Sequence, residues 1–240
     1  MISETTVYGS AAAVSAIATV AFLVWIRRVP ARKRPYCYPV VGVVGLSAVL
    51  TALVALDGFY IAGTGQTLPG VIDDFVAYTV LWVAAAAIAG ESRRMLALLA
   101  VIPMVQVVAF NVAAVVGGLV GLVGLALLVV GQVLIAYLFL GPIWERTDSL
   151  PDGQRLLHWK SRNLLLFLIG MLVVFALLSV GQIFDTFVTA VLSEYMGLLI
   201  RVGFAGFLLA NVDAIDPAAI ELFGSSADRP AAEPTGSGAD

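Results

Sequence analysis

Long runs without a charged side chain alternate with short polar stretches along this chain. Thr5 to Ile26, Pro35 to Leu56 and Asn163 to Phe184 hold no Asp, Glu, Lys or Arg, and each reaches the roughly 20 apolar residues that a helix needs to cross a bilayer. Met95 to Trp144 is uncharged throughout. As one helix it would be roughly 75 Å long at about 1.5 Å per residue, more than twice a hydrocarbon core. It must fold back, and Gly117-Gly118 is the natural turn, because glycine tolerates the backbone angles of a tight reversal. Val71 to Gly90 and Phe187 to Val212 complete the set, each with charges inside its apolar length. The pattern predicts an all-α membrane protein. Its seven-transmembrane-helix bundle has helices at about 5–26, 37–61, 71–90, 95–116, 119–141, 163–184 and 187–212, within a domain of residues 1–223. From about Gly224 the Ala, Pro, Gly, Ser and Asp composition predicts a disordered acidic cytoplasmic tail, 224–240.

Charge placement orients the bundle, since short cytoplasmic loops carry the excess of Lys and Arg. Arg27, Arg28, Arg32, Lys33 and Arg34 follow the first span, Arg93 and Arg94 the third, and Arg146, Arg155, Lys160 and Arg162 the fifth; Arg229 lies in the tail. All but one of the 13 basic residues thus fall on one side, which predicts the N-terminus outside and the C-terminus in the cytoplasm of a multi-pass cell-membrane protein. The exception, Arg201, lies inside the seventh helix. The first span carries Glu4 and no positive charge ahead of it, so it reads as a retained helix and not as a signal peptide. Trp25, Trp144, Trp159, Tyr36 and Tyr38 fall at span ends, where amphipathic rings favour the interface.

Composition agrees: 61% hydrophobic and 12% charged, with mean hydropathy +1.02, is far from the roughly 25% charged residues of a soluble domain. The basic residues are used up in loops, so no basic face is left for nucleic acid. One cysteine, Cys37, cannot form an intrachain disulfide, and the lone His158 leaves no histidine-built metal site. His158, beside Trp159 and Lys160, reads as an interfacial residue. Asp152-Gly153 reads as a turn in the fifth loop. Gln106, Asn111 and Gln132 read as interhelical hydrogen-bonding groups, and Gly117, Gly118, Gly121 and Gly124 as a seam of close helix packing. No nucleophile, base and orienting acid stand together, so no enzyme is expected.

Several segments resemble the microbial rhodopsins, and among them the haloarchaeal sensory branch. The run YPVVGVVGLSAV from Tyr38 is similar to that family's second helix, AYLFLGPIWE (Ala136 to Glu145) to the end of its fifth, and Arg162-Asn163-Leu164 to the opening of its sixth. RVGFAGFLL (Arg201 to Leu209) resembles the Lys-Val-Gly-Phe run of the seventh helix, whose lysine carries retinal. The resemblance implies that Arg201 occupies the attachment position, and a guanidinium is not a nucleophile toward an aldehyde. The only lysines are Lys33 and Lys160. The same register puts Ile169, Leu172 and Ala176 where the family has the aromatic residues around the polyene, Val173 at its proline, and Gly197 at the helix-seven aspartate. In helix three one register sets Asp73 at the counterion, Gly70 at its partner arginine and Asp74 at a pocket tryptophan; a shifted register sets Tyr78 at the counterion.

Charges inside a membrane are costly, so they face the bundle interior and mark a function or an ion pair. Arg201 leans toward its own N-terminus, toward Gly197 and Glu194, and Asp73, Asp74 and Asp57 lie near the same membrane surface. An intramembrane polar cluster of Arg201, Asp73, Asp74, Glu194 and Asp57 is therefore expected. The resemblance implies a rhodopsin-like protein without covalent retinal: a light-independent sensory or regulatory protein, or a binder of an apolar ligand such as non-covalent retinal or a carotenoid, with a second copy or a membrane partner protein beside it. The alternatives are a retinal-dependent photoreceptor or light-driven pump, and an ion or solute transporter or channel. The composition and the resemblance suit a halophilic archaeon.

Overall fold

The computed structural model describes residues 3–56, 59 and 67–220. Seven long helices form an up-and-down bundle: α1 (Glu4–Ile26), α2 (Arg34–Ala55), α3 (Leu68–Ile88), α4 (Arg93–Val116), α5 (Gly118–Leu140), α7 (Asp152–Val180) and α8 (Thr186–Ala210). Each is long and apolar enough to cross a membrane. Two short helices, α6 (Pro142–Arg146) and α9 (Pro217–Ile220), follow α5 and α8. The bundle has two ends, each named by an acid: the Asp74 end, where α3 and α8 begin, and the Glu91 end, where α3 meets α4.

Local chemistry sets the helix starts. Ser3, Thr67, Ser92 and Asp185 each accept a backbone N–H of the first turn on the side chain, satisfying donors that a helix leaves free. Pro69 lies in the first turn of α3, where the missing N–H costs nothing. Gly117 joins α4 to α5 alone, at φ 61°, a backbone angle glycine adopts without strain. Trp82, Phe139, Phe204 and Ile200 fill the interior, while large apolar residues such as Leu119 (79% exposed) and Phe167 face outward, as a surface in contact with hydrocarbon requires.

The sixth membrane helix differs most from expectation. Helix α7 begins at Asp152, eleven residues before position 163, so Asp152-Gly153 is its first turn and not a loop, and Arg155, Lys160 and Arg162 are helical. Gln154, Leu157, His158, Ser161, Arg162 and Leu165 are all buried at the three-and-four spacing of one helical face, which carries polar side chains and so escapes a hydropathy reading. His158 is fully buried, not interfacial. Helix α2 starts three residues before position 37 and ends at Ala55; Asp57, most of positions 57–61 and the 224–240 tail lie outside the described residues. Asn111 bonds to Val107 of its own helix, a nearer carbonyl than any across the interface, whereas Gln106 does reach across, donating to the Leu128 carbonyl at 2.8 Å. Gln132 Oε1 is buried without a partner among the described residues.

Candidate functional site

Three helices bring the intramembrane charges together. Arg201 comes from the middle of α8, Asp73 and Asp74 from the second turn of α3, and Ser47 from α2. One guanidinium nitrogen of Arg201, Nη2, lies 3.1 Å from Asp73 Oδ2 and 2.6 Å from Asp74 Oδ1. The other oxygen of Asp73 accepts from the Ser47 hydroxyl at 2.5 Å. Arg201 and Asp73 are buried, while the Asp74 side chain remains 44% exposed. Buried charges persist only when paired and hydrogen-bonded, and this triad with its serine meets that condition except at Arg201 Nε, which has no partner among the described residues.

The arginine reaches the carboxylates by folding back along α8. Its Nη1 lies against Gly197, where any Cβ would collide with it, so the glycine one turn earlier is the space the guanidinium occupies. The Tyr78 ring lies beneath the guanidinium carbon, 5.7 Å from centroid to carbon, within cation–π range. Glu194 is in electrostatic reach of Arg201, but the ion pairs of Arg201 are with Asp73 and Asp74. Of the five residues expected in the polar cluster, Arg201, Asp73 and Asp74 are in direct contact, Glu194 stands nearby, and Asp57 lies outside the described residues. Ser47 was not foreseen; a lone hydroxyl inside an apolar helix was the available signal.

Beside the triad lies a cavity of about 220 Å³ bounded by α3, α4, α5, α7 and α8. Asp74 and Tyr78 line its upper wall and Trp82 lies deepest along α3. Ile169, Leu172, Val173 and Ala176 line its α7 wall, so the positions that the sequence analysis grouped around a polyene do share one surface. Ser193, exposed at the Asp74 end, also lines it, which leaves the cavity open on that side.

Below Trp82 rings fill the space between α3, α5 and α7. Phe139 packs on Trp82 at 5.0 Å between centroids, His158 stacks on Phe139 at 5.9 Å, and Trp144 on His158 at 6.4 Å. Arg155 and Arg162 lie over the Trp144 ring. His158 Nδ1 meets the Ala85 carbonyl, and Gln154 ties the Ile88 carbonyl to the Asp216 N–H. Glu91, fully buried, pairs with Arg146 at 3.0 Å. Sequence reasoning missed this network because its members come from four separate segments.

No protein-family model matches the chain, and no curated protein does. Solved structures do match. The thermophilic rhodopsin from Rubrobacter xylanophilus aligns with a TM-score of 0.81 at 15% identity, covering 90% of this chain and 99% of that one. The fold is that of the microbial rhodopsins. The light-driven proton pump rhodopsin of Coccomyxa subellipsoidea gives 0.78 at 13% identity, covering 88% and 98%, and xanthorhodopsin, a light-driven ion pump with dual chromophore, gives 0.69 at 16%, covering 88% and 92%. This rhodopsin-fold chain has its two lysines at the Glu91 end: Lys33 Nζ donates to the Asp213 carbonyl at 2.7 Å, and Lys160 is exposed on α7.

Proposed function

We propose that this chain is a member of the microbial rhodopsin family that carries no Schiff-base retinal and acts without light, as a sensory or regulatory membrane protein or as the receptor of a small ligand. In this reading the Asp74 end faces outside and the Glu91 end, with its basic residues, faces the cytoplasm. Arg201 carries the proposal. A covalent chromophore needs an interior amine, and the residues present do not fit one: the cationic side chain at midspan is a guanidinium already engaged by two carboxylates, which is not a nucleophile toward an aldehyde.

A light-driven pump is the second reading, favoured by the fold's likeness to a light-driven proton pump and to xanthorhodopsin, a light-driven ion pump. Against it stands the Glu91 half of α3, where Val80 to Ala89 holds no ionisable side chain and the buried acid beyond it, Glu91, is held in an ion pair with Arg146, whereas a proton path needs exchangeable acids on both sides of its switch. A transporter or channel using the Asp74-end opening meets the same apolar stretch of α3.

An absorption spectrum tests the proposal. The purified protein is mixed with all-trans retinal beside an Arg201→Lys variant. The expected result is no red-shifted, acid-stable band in the native protein. Such a band would overturn the proposal, and a weaker, acid-labile one would point to retinal held without a covalent bond. A band in Arg201→Lys alone would show that only the attachment residue is missing. Cross-linking in membranes would detect the second copy or membrane partner that a sensory role requires.

A further inference from the structure

We propose that the cavity between α3, α4, α5, α7 and α8 is a binding site for a small organic ammonium ion: a single ring bearing a short aminoalkyl tail. The proposal rests on the reading above, in which no covalent chromophore fills this space, and it names the ligand class.

Size comes first. A cavity of about 150 Å³ accommodates benzene, so about 220 Å³ accommodates one ring with a tail of two or three atoms. Drug-sized ligands take pockets of roughly 300 Å³ or more, so long polyenes are poor fits as the side chains now stand.

Charge selects the class. The lining contains one carboxylate, Asp74, and no Lys, Arg or His. Around it stand three acids, Asp73, Asp74 and Glu194, against the single guanidinium of Arg201. A low-dielectric site with one carboxyl on its wall and no basic side chain in the lining favours a cation over an anion. Asp74 is the member of the triad that remains half-exposed, so it can accept from a second cation without releasing Arg201.

The remaining lining suits the same guest. Tyr78, Trp82, Phe110 and Phe175 present aromatic rings, the surfaces that hold ammonium groups through cation–π attraction. Asn111 also lines the cavity. Leu172, Val173 and Ala176 leave an apolar side for the ring. Entry is from the Asp74 end, past exposed Ser193.

Equilibrium dialysis of radiolabelled 2-phenylethylamine against the detergent-purified full chain tests this, with 2-phenylethanol as the neutral counterpart. Saturable amine binding is expected, with the alcohol at least about tenfold weaker and Asp74→Asn weakened by a similar factor. Because Asp74→Asn also loosens the ion triad, Ala176→Phe provides an independent variant: it fills the apolar side, away from the charges, and should abolish binding while keeping the native unfolding temperature. Equal binding of amine and alcohol, unchanged binding in Ala176→Phe, or no saturable binding of the amine would each overturn the proposal. The retinal spectrum is read separately: a covalent band in the native protein would sink the Schiff-base reading, whereas failed amine binding beside a blank spectrum would sink only the ligand class.

Discussion

The two ends of this bundle are built on opposite principles. At the Asp74 end, two acids and one arginine meet at the edge of an open cavity, with Glu194 nearby. At the Glu91 end, rings stacked from Trp82 to Trp144 fill the space between α3, α5, α6 and α7, and side chains tie backbone to backbone, as Gln154 does between Ile88 and Asp216. Side chains that bridge separate backbone segments rigidify a core; a carboxylate beside a void is a group a ligand can engage. The contrast teaches that polarity inside a membrane bundle has two uses, and that the space beside it separates them. Buried polar atoms without partners among the described residues occur at both ends, Arg201 Nε at one and Glu91 Oε1, His158 Nε2 and Ser161 Oγ at the other, but the Asp74 end sets a carboxylate on the wall of a cavity.

The strongest way to break the comparison is Arg201→Gln. It strands Asp73, whose side chain is only 7% exposed, and removal of one partner from a buried pair costs about 3–5 kcal/mol; with Asp74 half in contact with water, the expectation is about 3 kcal/mol, read as a lower unfolding temperature in detergent. A drop no larger than that of Arg27→Gln at the exposed membrane edge would show that the triad contributes nothing to the fold.

Next is Gln154→Leu at the Glu91 end. The substitution leaves the Ile88 carbonyl and the Asp216 N–H without their partner, for an expected loss of about 2 kcal/mol. Hydrogen exchange sharpens this: the Asp216 amide should exchange faster while amides around Asp74 do not change. Coupled acceleration at both ends would mean the two halves are one cooperative unit.

The smallest expected effect is Ser47→Ala, which removes one hydrogen bond to a carboxylate that keeps its arginine. A loss of about 1.5 kcal/mol is expected, with amine binding at Asp74 retained. Loss of binding together with stability would extend the site to Asp73 and α2.

The spans were legible because bilayer thickness imposes a length that uncharged runs reveal directly, and the Gly117 turn because no 50-residue helix fits. Arg201 was legible as an anomaly for the same reason: any charge within such a run must find a partner. Helix α7 was misread at its start, since the face from Gln154 to Arg162 is buried by neighbours from α3, α5 and α6 and its own residues are polar. His158 looked interfacial because its sequence neighbours Trp159 and Lys160 are exposed, while its ring faces Phe139 and Trp144.

By itself, then, the sequence determined the number of spans, the side on which positive charge collects, and the absence of an interior lysine. All of these depend on residue type and spacing against a fixed hydrocarbon slab. Only the tertiary structure decided that Arg201 shares one nitrogen between Asp73 and Asp74, that Ser47 completes Asp73, that a cavity opens beside Asp74, and that rings fill the other end. Those features join residues as far apart in sequence as Asp73 and Arg201, and the packing of one helix against another, which no local pattern encodes, sets which side chains meet.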